Sequence, residues 1–167
     1  KMRTIAGYAP SKTFNLAGLV GSYHIVYNKY LRDRLEKQSS LSHYNAANIL
    51  SVHALIGAYC KEGIDWVKEL NEVISQNVDY AIDFIHSNFK DIQVKKPEGT
   101  YMLYLDCTEY LKSHDISMDD LLKKGVHYGV CWQDGRPFMN PNTIRLNLAL
   151  PKSLVEEAFS RLKEYVF

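Results

Sequence analysis

The sequence predicts an α/β or α+β fold in which a small sheet is backed by helices. Three observations carry this. Residues 64–89 place Ile64, Val67, Leu70, Ile74, Val78, Ala81, Ile82, Ile85 and Phe89 at steps of three or four, the signature of a long amphipathic helix. Residues 143–150 alternate strictly, which is the period of a half-buried strand. Between and after them, strand-like and helical runs interleave.

The elements follow in order. Ile5-Ala6-Gly7-Tyr8 reads as a short strand, and the segment from Ala9 to Leu19 is small, polar and turn-prone. Ser22-Tyr23-His24-Ile25-Val26-Tyr27 is a second β-leaning run. Residues 28–38 carry Lys29, Arg32, Asp33, Arg34, Glu36 and Lys37 and predict an exposed helix. Residues 44–60 are rich in Ala, Ile, Leu and Val on more than one face, predicting a helix buried from several sides. Lys61-Glu62-Gly63 is the best boundary between two structural units. Beyond it, residues 100–107 predict a strand, 118–124 a short helix, and 126–132 another strand. Asp134-Gly135 marks a turn, and residues 152–166 a closing helix with Leu154, Val155, Ala158, Phe159 and Leu162 on one face.

Composition narrows the classes of function. The 167 residues include 20 Lys plus Arg against 19 Asp plus Glu, with 46% apolar and 23% charged residues. This is one ordinary domain or pieces of two, and neither disordered nor collagen-like. The interspersed charges argue against a nucleic-acid-binding face. No apolar run approaches the ~20 residues that span a bilayer, and no secretory leader is read at the start. Cys60, Cys107 and Cys131 are widely spaced and form no CxxC pair, which suits small buried hydrophobes in a reducing cytoplasm. The six histidines form no HExxH, so no metal site is expected.

On residues 143–150, Ile144, Leu146, Leu148 and Leu150 share one face and Arg145, Asn147 and Ala149 the other. The first face must meet helices. The second presents a guanidinium to something polar, either solvent or a bound carboxylate, which it suits through two parallel hydrogen bonds.

Three segments together resemble a known family. Ser11-Lys12-Thr13-Phe14-Asn15-Leu16-Ala17-Gly18-Leu19 resembles the lysine motif of fold-type I enzymes dependent on pyridoxal 5'-phosphate (PLP). Pro97-Glu98-Gly99-Thr100-Tyr101-Met102-Leu103-Tyr104-Leu105-Asp106 is similar to their small-domain segment, and Ile144-Arg145-Leu146-Asn147-Leu148-Ala149-Leu150-Pro151 to their C-terminal carboxylate-binding strand. Within class I/II aminotransferases, the chain looks like the cystathionine β-lyase branch of carbon–sulfur lyases. The resemblance implies an α/β fold and the C-terminal part of such an enzyme. Residues 1–62 would be the remainder of the large cofactor domain and 63–167 the small C-terminal domain. The family's acidic partner of the pyridine nitrogen and its stacking aromatic residue would lie upstream.

The same resemblance implies roles for three residues. Lys12 would hold the cofactor covalently and, once displaced by the substrate amine, serve as the proton-transfer base; a primary amine is needed for that exchange. Ser11 would donate its hydroxyl to the cofactor phosphate, a turn-stabilising role being the alternative. Arg145 would hold the substrate α-carboxylate. Two positions depart from the aspartate aminotransferase branch: Val20 stands where it has an arginine, and Ala9 where it often has a hydroxyl. Residues 136–142 resemble a loop approaching the active-site mouth, which Tyr101 and Trp132 would help to shape, a packing role being the favoured alternative for each. The implied reactions are β-elimination of a thiol from an amino acid or, alternatively, transfer of its amino group to a keto acid. The implied assembly is a homodimer. Alone, the 167 residues are expected to be catalytically inactive.

Overall fold

The computed structural model describes residues 2–19, 21–43 and 46–167. Val20 lies outside the described residues, as do Tyr44 and Asn45 at the start of the apolar run 44–60. The chain forms two compact units, Lys1–Glu69 and Leu70–Phe167.

In the first unit, β1 (Ala6–Tyr8) pairs antiparallel with β2 (Tyr23–Ile25), with Tyr8 opposite Tyr23. The two rings stack at 5.3 Å, the cross-strand aromatic pairing that fixes register in a ribbon this short. Helix α1 (Lys29–Ser42) starts at Asn28, whose side chain accepts from the Leu31 N–H, and ends at left-handed His43. None of its residues is buried, in keeping with its charge pattern. Helix α2 (Ile49–Ala58) is capped by Asn48, which accepts from the Leu50 N–H at 2.8 Å.

Here expectation and structure differ. Apolar composition predicted a helix buried from several sides, yet Ala58 alone is buried and Ile49, Leu50 and Ile56 are each more than 60% exposed. An all-round apolar helix needs neighbours on every side, and the described residues of this unit supply too few.

Helix α3 (Lys61–Asn88) begins in the first unit and ends in the second. It is the amphipathic helix that the spacing predicts. Only its C-terminal half builds core, through Val78, Ala81, Ile82 and Ile85, with Phe89 just beyond.

The second unit is a four-stranded antiparallel sheet in the order β3-β4-β6-β5, comprising β3 (Gln93–Val94), β4 (Met102–Asp106), β5 (Gln133–Asp134) and β6 (Thr143–Asn147). Helices α4 (Thr108–Ser113), α5 (Met118–His127) and α6 (Lys152–Arg161) accompany it. Leu103 and Leu105 of β4, Ile144 and Leu146 of β6, Leu121, Val155 and Phe159 meet the apolar face of α3 in one core.

The strand predicted at 126–132 is not formed. α5 continues through His127 and closes in a Schellman turn: Gly129 takes φ 75°, its N–H reaches Val126 O, and Val130 N–H reaches Gly125 O at 2.9 Å. Only Gln133 and Asp134 then pair with β6. The strand predicted to run to Leu150 ends at Asn147, whose side-chain oxygen accepts from the Ala149 N–H and turns the chain. Leu150 is therefore exposed, as is Leu154 on the closing helix.

Candidate active site

Lys12 sits on a turn between β1 and β2. The turn is closed by the Phe14 N–H donating to Pro10 O at 3.0 Å and the Leu16 N–H to Ser11 O at 2.8 Å, with Asn15 left-handed at φ 53°. Asn tolerates that conformation better than most residues. Pro10 and Phe14 are buried and anchor the turn. The Phe14 ring meets Tyr59 edge-on at 5.2 Å, and the Tyr59 hydroxyl shares a 2.9 Å hydrogen bond with Tyr23. That bond holds the Tyr23 phenol above its ordinary value. The tyrosines on β1, β2 and the end of α2 thus form a run of ring contacts that meets the turn at Phe14, while Lys12 and Thr13 stay exposed.

Among the described residues the Lys12 ammonium makes no hydrogen bond or ion pair, and Ser11 beside it is half-buried. A primary amine free of a carboxylate and a neighbouring hydroxyl fit two requirements of a PLP site, an anchor for the aldehyde and a donor to one phosphate oxygen. The hollow that Ser11 lines is no cofactor cavity. At about 70 Å³, walled by Leu16, Leu19, Val52 and Leu55, it is far below the ~300 Å³ of ordinary ligand pockets.

Arg145 belongs to the second unit. It lies on β6 between two partners, opposite Tyr104 on β4 and Gln133 on β5, so its backbone is fixed from both sides. Its half-buried side chain lays the guanidinium over the Phe138 ring, with Cζ 4.0 Å from the centroid.

Phe138 rides on the turn that links β5 to β6. There Arg136 donates from Nε to Asp134 at 2.7 Å and from Nη2 to Asp119 at 2.6 Å. The Arg136 backbone N–H, and then its guanidinium, hold the Asp134 carboxyl below its ordinary range. The unit has three arginines. Arg136 and Arg161 are paired with carboxylates, whereas Arg145 has no carboxylate partner among the described residues.

Ser11 and Lys12 are neighbours on one turn, and Arg145 stands in the other unit. Trp132 is half-buried against the core, its ring filling the space above Gly125. Sequence reasoning missed the Tyr8–Tyr23–Tyr59 ring contacts, whose trace was the tyrosine in each β-leaning run. It also missed Phe138, which no periodicity links to Arg145. Among the described residues no three His, Cys, Asp or Glu side chains converge as metal ligands, and no helix is long and apolar enough to cross a membrane.

The chain is similar to known proteins along nearly its whole length. It is 30% identical over 162 residues to the cystathionine β-lyase PatB of Bacillus subtilis, covering 93% of this chain and 40% of that protein. The structure of a PLP-bound C-S lyase from Staphylococcus hominis superposes with a TM-score of 0.82 at 30% identity, covering 95% of this chain and 41% of that one. Cystalysin from Treponema denticola, whose structure contains PLP, superposes with the same TM-score of 0.82 at 26% identity, over 98% of this chain and 41% of that one. The chain spans about two fifths of the length of the relatives it matches. Residues 4–162 match the family of aminotransferase class I and II, and the chain belongs to that family.

Proposed function

We propose that the protein to which these residues belong is a PLP-dependent carbon–sulfur β-lyase of the cystathionine β-lyase type. Residues 1–62 supply the last part of its large cofactor domain and 63–167 its small domain. The observation that carries this reading is the free, exposed Lys12 amine on a turn that hydrogen bonds and buried rings hold in shape. The resemblance to a β-lyase and to a C-S lyase at 30% identity supports the choice of reaction.

In this reading Lys12 Nζ would hold the cofactor and, when the substrate is bound, would move the substrate's α-proton. The Ser11 hydroxyl donates to a phosphate oxygen. Arg145 grips the α-carboxylate through two parallel N–H···O bonds and so orients the α-carbon. The bound cofactor supplies the electron sink that makes the α-proton removable. The protein works as a homodimer on an amino-acid substrate in the cytoplasm. The 167 residues alone are inactive, because Ser11 and Lys12 do not make up a preorganised shell for the ring and phosphate.

Amino transfer is the second reading, favoured by the match to the aminotransferase family as a whole. Lys12 and Arg145 serve both reactions equally, so these residues do not choose between them. Incubating the complete protein with L-cystathionine and PLP separates the two. Pyruvate and ammonia without any added keto acid support the lyase. Product formed only when a keto acid is supplied replaces it with the transferase.

A further inference from the structure

We propose that Phe138 is a positioning residue for Arg145 and thereby sets the preference for substrates bearing an α-carboxylate. The inference rests on the reading of Arg145 as the carboxylate clamp.

Two anchors hold the arginine. Its backbone is fixed by pairing with Tyr104 and Gln133. Its head, at the end of a long flexible side chain, is fixed by the Phe138 ring at 4.0 Å, well inside the ~6 Å reach of a cation–π contact. Stacking covers one face of the guanidinium. The N–H groups lie in its plane, so their edge stays open for two parallel bonds to a carboxylate.

The ring itself is held by its loop. The Phe138 N–H donates to Gly135 O at 2.8 Å and the Met139 N–H to Arg136 O at 3.1 Å. Thr143 Oγ1 donates to Asn140 O at 3.0 Å, and Arg136 is tied to Asp134 and Asp119. Gly135 makes the tight approach possible, since a Cβ there would lie 2.0 Å from Thr143 Oγ1. Phe138 is nevertheless 50% exposed. Among the described residues, the ring's cation–π partner is the Arg145 guanidinium.

The test uses the complete protein loaded with PLP, with L-alanine and its decarboxylated analogue ethylamine as binding probes. The variants are F138L, F138Y, F138W and R145A. F138L keeps apolar bulk but lacks a π face, and is expected to weaken L-alanine by roughly three- to tenfold while leaving ethylamine and cofactor content unchanged. F138Y and F138W keep the face and are expected to bind L-alanine about as tightly as the native protein. In proton–nitrogen NMR the Arg145 Nε–H is expected to be shifted upfield by the ring in the native protein and in F138Y. An ordinary shift there overturns the contact even if F138L does not fold. Unchanged L-alanine affinity in F138L, or equal losses in all three Phe138 variants, overturns the proposal. If R145A leaves the L-alanine to ethylamine ratio intact, the clamp reading falls and this inference with it. If R145A collapses the ratio and F138L does not, this inference alone falls.

Discussion

The Asn77 amide of α3 donates to the Leu148 carbonyl at 3.0 Å, and its second hydrogen reaches Leu150 O at 2.9 Å. Asn77 is almost wholly buried, so these bonds satisfy two carbonyls that have left the sheet just beyond β6. They fix where the chain turns after the Arg145 strand.

Replacing Asn77 by Leu removes both donors, along with a buried Oδ1 that has no partner among the described residues, and keeps the number of side-chain heavy atoms. The two carbonyls are then short of partners, and the expected loss is about 2–4 kcal/mol in urea unfolding. Asp should be worse, because a carboxylate would face two carbonyl oxygens. A change within about 0.5 kcal/mol for Leu, the range of ordinary surface substitutions, would show that the staple is dispensable.

Gly125 of α5 offers an opposite case. Alanine is normally the better helix residue by about 1 kcal/mol. Here a Cβ would sit 2.1 Å from the Trp132 ring, and the indole is packed against the core. Overpacking should win, so G125A is expected to lower stability by about 1–3 kcal/mol with a loss of near-ultraviolet signal from Trp132. Stabilisation by G125A would mean that the indole yields freely.

The three thiols should separate by reactivity. Burial, and then the charge of Asp106, pushes the Cys107 thiol up to about 12, so near pH 8 it is neutral as well as enclosed. Cys60 and Cys131 are exposed. Because the thiolate is the reactive form, iodoacetamide at pH 8 followed by peptide mapping should label Cys60 and Cys131 and spare Cys107 until denaturant is added. Early labelling of Cys107 would contradict its place in the core.

What could be read from the sequence was what rests on periodicity or on residue order. The α3 stripe and the Ile144–Leu146–Leu148 face are regular patterns, and the structure buries Val78, Ile85, Ile144 and Leu146 accordingly. The turn-prone run at Lys12 was legible because it is local. Legibility failed where a few atoms decide. One left-handed glycine at 129 ended α5 and removed a strand, and one Asn147 side chain ended β6 three residues early. The apolar run in α2 signalled burial, but a helix sequence names no partner, and Ile49, Leu50 and Ile56 face outward in this unit. The Phe138–Arg145 stack joins a loop to a strand across seven residues, a relation that only the fold supplies.

The central claim is that Lys12 is the lysine that holds the cofactor. The direct measurement is to load the complete protein with PLP, reduce it with borohydride, digest it, and locate the phosphopyridoxyl group by mass spectrometry. The account predicts one stoichiometric label on the peptide containing Ser11-Lys12-Thr13, absent from a K12A variant that folds normally. A stoichiometric label on any other lysine, or label retained in K12A, would contradict it.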